Sequence, residues 1–115
     1  MLPDCIFCKI VARQVDGKVL FHDQEVTAFL DAHPVTPVHI LIVPNKHIAS
    51  LNQLEESDAP LIGKMTLVAQ RIAREQGVDK TGYRLVINNG ADAGQSVFHL
   101  HMHLIAGQRL GPRPI

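Results

Sequence analysis

A chain of 115 residues with 46% hydrophobic and 19% charged residues has apolar material for a real core and too little charge for a disordered segment. Eleven Lys and Arg are interspersed with eleven Asp and Glu, which argues against a polyanion binder and for a small ligand recognised locally. The aliphatic run at residues 40–43 is far too short to span a bilayer, and residues 1–4 lack the charged start of a signal peptide. The expectation is one domain over 1–115, cytoplasmic, with neither a membrane nor a nucleic-acid partner.

Residues 5–12 follow Pro3-Asp4, which offers a cap, and Ile6, Phe7, Ile10 and Val11 recur at helical spacing, predicting a short helix. Asp16-Gly17 and Asp23-Gln24-Glu25 punctuate two short strands, 19–21 and 26–30, which form a hairpin. Prolines 34 and 37 make residues 31–37 a loop, in which His33 reads as an ordinary loop residue. Residues 38–43 are β-branched and leucine-rich up to Pro44, as in a central strand covered on both faces. His39 within that strand must be hydrogen-bonded, either in a site or to a neighbouring backbone.

Residues 50–54 are compatible with one helical turn. Ser57 and Asp58 can cap a long helix with Pro60 in its first turn and an apolar stripe of Leu61, Met65, Val68 and Ile72 running to Gly77. That stripe packs against the sheet or a second subunit. Residues 79–82 form a loop before a strand at 83–88, and residues 89–94 form a polar loop ahead of the last strand. Residues 108–115 read as an extended tail. The sum is an α+β fold with a mainly antiparallel sheet of about five strands, one long helix and one short one.

The last strand, residues 95–105, carries His99, His101 and His103 at every second position of an apolar run. In a regular strand these three share one face, and Leu100, Met102 and Leu104 share the other. At a rise of ~3.3 Å per residue the rings stand roughly 6.6 Å apart, close enough for two to act on one small group such as a phosphate. Packing three imidazoles for structure alone is costly, because each needs partners for two ring nitrogens. His-x-His is also a chelating geometry, so a catalytic metal is the rival to phosphate chemistry. Cys5-x-x-Cys8 has no preceding strand to make it a thioredoxin-like motif, and a reducing cytosol argues against a structural disulfide.

The segment Gln95-Ser96-Val97-Phe98 followed by His-Leu-His-Met-His-Leu-Ile resembles the signature of the histidine-triad (HIT) family, and within it the Hint branch of purine nucleoside phosphoramidate hydrolases. The resemblance extends through Cys5-Ile6-Phe7-Cys8-Lys9-Ile10, Phe29-Leu30-Asp31 and Pro37-Val38-His39-Ile40-Leu41-Ile42-Val43-Pro44. It implies the HIT-like fold and a homodimer whose sheets join. It also implies hydrolysis of purine nucleoside 5′-phosphoramidates through a nucleotidyl-histidine intermediate, with no cofactor required for catalysis. His101 then matches the nucleophile, His103 a phosphate-binding donor, and His99 with His39 the groups that orient the nucleophile. Gln95 and Ser96 match residues flanking the leaving group. Asp31 matches the carboxylate that accepts both ribose hydroxyls, and Asn88 a phosphate contact. Ile6, Phe7, Ile10, Val15, Val19, Phe29, Leu30 and Ala32 match positions lining the purine slot, core packing being the plainer reading for several.

Two departures from the Hint pattern bear on selectivity. Leu30 stands where animal Hint proteins carry histidine, and the residues from Leu110 onward lack their tryptophan. Cys5 and Cys8 resemble a zinc-binding variant found in some bacterial HIT proteins and in galactose-1-phosphate uridylyltransferases, where His47 and His99 complete the set. Two buried thiols without metal is the alternative. The functional alternatives are a dinucleoside polyphosphate hydrolase and a nucleotide- or zinc-binding module with incidental turnover. The transferase branch typically has glutamine where His103 stands.

Overall fold

β3 (Val38–Pro44) is apolar on both sides of its pleat and therefore sits in the middle of the sheet, buried from both directions. The computed structural model describes Leu2 and residues 4–112 and shows five antiparallel strands in the order β1-β2-β3-β5-β4. The others are β1 (Val19–His22), β2 (Val26–Leu30), β4 (Tyr83–Val86) and β5 (Met102–Ala106). Two helices, α1 (Ile6–Val11) and α2 (Ala59–Glu75), accompany them, giving the expected α+β architecture.

The pleat of β3 divides the core. Ile40 and Ile42 face Met65, Val68, Ala69 and Ile72 of α2, together with Met102 and Leu104 of β5. Leu41 and Val43 face the opposite way and pack with Phe29 and with Phe7, Ile10 and Val11 of α1. The predicted helix stripe thus packs on the sheet, and each fully buried aliphatic in it contributes about 1.5–3 kcal/mol. Val26, Ala28, Ile40 and Leu104 are almost wholly excluded from solvent.

Several local expectations need correction. The regular strand expected over 95–105 begins only at Met102. Ile42 pairs with Met102, so continuing the register would set Leu100 opposite Pro44, which has no N–H for the ladder. Leu100 instead donates its N–H to the Ile48 carbonyl at 2.7 Å, and the chain at 99–101 leaves the sheet. β4 likewise ends at Val86, two residues early. The first helix is capped by the Cys5 thiol, which accepts from the Cys8 N–H at 3.3 Å, and not by Asp4; Pro3 lies outside the described residues. Asp58 precedes α2, but its carboxylate accepts from the Glu55 N–H and Lys46 Nζ, closing the preceding 3₁₀ turn. The end of the proposed tail, Arg113 to Ile115, lies outside the described residues. No described helix is long and apolar enough to cross a membrane.

Candidate active site

The face of the sheet away from α2 carries a cleft of about 960 Å³. Register builds its floor. Phe29 pairs with Leu41, and Leu41 pairs with His103, so these three side chains stand in a row across β2, β3 and β5. His39, two residues from Leu41, shares that face and meets His103 diagonally, with ring centroids 5.1 Å apart. α1 supplies an apolar wall of Ile6, Phe7 and Ile10, with Phe7 edge-on to Phe29 at 5.3 Å and to His101 at 5.1 Å. Asp31 follows β2 at the far end. Its carboxylate is held by the His33 N–H at 2.7 Å and lies 3.3 Å from His39 Nε2.

The imidazoles are unequal. His101 and His103 line the cleft with ring centroids 5.0 Å apart. His101 donates its Nδ1–H to the His99 carbonyl at 2.8 Å, so its Nε2 holds a lone pair. His39 Nε2 lies 2.9 Å from His103 Nδ1. Burial pushes the His101 pKa down, partly offset by that carbonyl and by Asp31. Burial, then the charges of His101 and His39, push His103 to about 4. Burial also lowers His39, against the pull of Asp31. All three shifts favour the neutral ring.

His99 looks elsewhere. Its ring is fully buried, and Nε2–H donates to the Pro44 carbonyl at 2.8 Å, which turns the Nδ1 lone pair toward Cys5, Cys8 and His47. Burial, little relieved by that bond, depresses its pKa to about 4. Cys5 Sγ lies 3.3 Å and Cys8 Sγ 3.6 Å from His99 Nδ1. His47 Nδ1 is 3.4 Å from Cys8 Sγ and 3.2 Å from His99 Nδ1. Tetrahedral zinc with bonds of ~2.3 Å to sulfur and ~2.0–2.1 Å to nitrogen has S···N edges of about 3.6 Å and an N···N edge of about 3.3 Å. The four donors fit that ion, and the Pro44 carbonyl supplies the outer partner that fixes the His99 ring.

Of the positions expected at the slot, Ile6, Phe7, Ile10, Val15, Phe29, Leu30 and Ala32 line the cleft, as do Asp31, Asn88 and Ser96. Val19 does not; it packs behind with the α1-side core. Gln95 is also away from the cleft, 4% exposed, its amide bridging the Gly90 N–H and the Ala49 and Val97 carbonyls to hold the loop. The rings of His39 and His99 do not orient His101 as expected: His39 pairs with His103, and His99 acts on His101 through its backbone carbonyl. The break at Leu100 is the physical reason, because it removes His99 from the common face. The equal spacing expected along the triad is lost with it.

Sequence reasoning missed Gly17, whose added Cβ would stand 2.5 Å from Ile10 Cγ2, and Lys18, which lines the cleft with φ at +55°. The Asp16-Gly17 turn signal was their only trace. It also missed the backbone amides of His33 and Val35, which no side-chain pattern announces.

The HIT domain family model matches residues 12–110, leaving α1 and both cysteines ahead of the matched span. A protein of Escherichia coli strain K12 named purine nucleoside phosphoramidase is 41% identical over 112 residues, covering 97% of this chain and 94% of its own. The HIT family hydrolase of Clostridium thermocellum superposes with a TM-score of 0.96 at 40% identity, covering 100% of both chains. A zinc-bound histidine triad family protein from Mycobacterium smegmatis superposes with a TM-score of 0.79 at 33% identity, covering 94% of this chain and 77% of that one. With the family model spanning most of the sequence and the fold shared from end to end, this protein belongs to the HIT domain family.

Proposed function

We propose that this protein hydrolyses purine nucleoside 5′-phosphoramidates through a covalent nucleotidyl intermediate on His101. The observation that carries this reading is the pair of imidazoles at the cleft floor, one presenting a bare nitrogen and its neighbour a different face 5.0 Å away. His101 Nε2 attacks phosphorus, forming a P–N bond as the bond to the leaving amine breaks. The positive charge that develops on the ring is stabilised at Nδ1–H by the His99 carbonyl. His103 meets the charge on the phosphoryl oxygens. Ser96, exposed at the rim, hands the leaving amine its proton and recovers one from solvent. Water then attacks phosphorus, His101 departs, and the nucleoside monophosphate is released.

The base lies in the apolar slot between α1 and Phe29 and Leu30, with Asn88 toward the phosphate, and Asp31 accepts the ribose hydroxyls. Cys5, Cys8, His47 and His99 would hold zinc. The closed Cys₂His₂ set leaves no open position, so the metal's part is structural, tying α1 to the segment that bears the nucleophile. The whole chain acts as one domain, cytoplasmic and paired as a homodimer. Rapid quenching with a labelled adenosine phosphoramidate tests the mechanism. An acid-labile adduct on His101, abolished with turnover in His101→Asn while nucleotide still binds, is expected. An adduct on another residue, or faster turnover of diadenosine polyphosphates, refutes it.

A further inference from the structure

Two ring nitrogens 2.9 Å apart, His39 Nε2 and His103 Nδ1, share one proton, and its owner is decided by what occupies the far nitrogens. On His39 the far side is fixed by the loop before β3. The Val35 N–H donates to His39 Nδ1 at 3.1 Å, so Nδ1 carries a lone pair and a neutral ring keeps its proton on Nε2. A main-chain N–H has no alternative role as an acceptor, unlike a hydroxyl or a second imidazole. The Asp31 carboxylate, 3.3 Å from the same Nε2, favours a proton there as well.

From His39 the donors run in one direction. Nε2–H donates to His103 Nδ1, which leaves His103 with its own proton on Nε2, available as a donor. His101 is locked the opposite way, Nδ1–H to the His99 carbonyl and Nε2 bare. The same proton disfavours a metal at the cleft floor. Asp31, His39 and His103 bring three possible ligand atoms within 4.8 Å, but ligation through His39 Nε2 would move its proton to Nδ1, where the Val35 N–H already points.

We infer that the Val35 backbone amide and His39 are a positioning relay that fixes His103 as an Nε2–H donor, so that the loop at 34–37 sets the polarity of the catalytic pair. The kinetic consequence rests on the phosphoramidase reading; the proton arrangement does not. Long-range ¹H–¹⁵N correlation on histidine-labelled resting protein reads it directly. Expected are pyridine-type Nδ1 and pyrrole-type Nε2 on both His39 and His103, and the reverse on His101. A pyrrole-type Nδ1 on His103 overturns the inference.

Val35→Pro removes the N–H and should mix the tautomers of both rings, whereas Val35→Ala keeps the amide and should keep the pattern; an unchanged pattern in Val35→Pro overturns the relay. Because proline also constrains the loop, His39 is varied independently. His39→Leu should lower kcat by about 10²-fold, the scale for losing one oriented donor, with little change in KM. His39→Gln, whose amide N–H reaches toward the position of Nε2–H, should recover part of kcat and keep His103 Nδ1 pyridine-type. Equal loss in Leu and Gln, or a loss confined to KM, refutes it. Absent turnover in the wild type would count against the proposed function alone, since the nitrogen signatures need no substrate.

Discussion

Asp31→Asn isolates the contact proposed to read the ribose. Asparagine preserves shape and one acceptor. If that oxygen continues to accept from the His33 N–H, held at 2.7 Å in the native protein, the amide NH₂ takes the position of Oδ2, 3.3 Å from His39 Nε2, and presents a donor where ribose hydroxyls need an acceptor. The lost charge-assisted bond is worth about 1.5–3 kcal/mol. That corresponds to roughly 10- to 150-fold in Kd. Calorimetric titration with AMP and with its 2′,3′-dideoxy analogue, at one salt concentration, separates this from general disturbance of the cleft. AMP should weaken by the stated factor and the dideoxy analogue much less. Equal weakening of the two ligands would show that Asp31 does not read the hydroxyls.

Three further outcomes are expected. Protein purified without a tag should carry about one zinc per chain, and Cys8→Ser should lose metal and thermal stability together, as read by metal analysis and melting; metal-free wild type refutes the site. In Gly17→Ala the new Cβ would start 2.5 Å from Ile10 Cγ2, against an ordinary contact of ~3.5 Å, so Ile10 must give way by about 1 Å. The cost is about 1–3 kcal/mol in urea unfolding with a raised KM for the purine substrate, and neither change would appear if the slot wall were slack. Burial alone would raise the Asp23 carboxyl, but Lys64 at 2.6 Å and the N–H groups of Glu25 and Val26 outweigh it and hold the pKa at about 2. A depressed carboxyl stabilises above its unfolded pKa of 3.8 and loses that contribution as pH falls through about 2. Wild type should therefore lose about 1 kcal/mol more than Lys64→Met between roughly pH 5 and pH 2, and parallel curves would refute the pairing.

The succession of strands along the chain, the central place of β3 and both helices were legible because apolar periodicity is dictated by burial. β3 reads as central since both its faces are apolar, and the α2 stripe since only one of its faces is. The cleft was legible where side chains carry it, as with Asp31 and the α1 wall. It was illegible where the main chain decides. Alternation of apolar residues at 97–105 satisfies a strand pattern, but Pro44 on the neighbouring strand withholds the donor that would extend the ladder. Nothing local to the histidines encodes that. Gln95 failed for a related reason: its amide can serve a ligand or a loop, and three backbone partners within reach decide for the loop.

The early departure of the chain from the ladder at Met102 has a consequence for how the site can vary. Had 99–103 run as one regular strand, its histidines would be related by a translation of two residues, and a register slip by that amount would hand each one's office to the next. The kink abolishes that translational symmetry. One ring is committed to the thiols, one to an acceptor behind it and one to a donor beside it, so no slip, insertion or relocated histidine along this segment can regenerate the same trio.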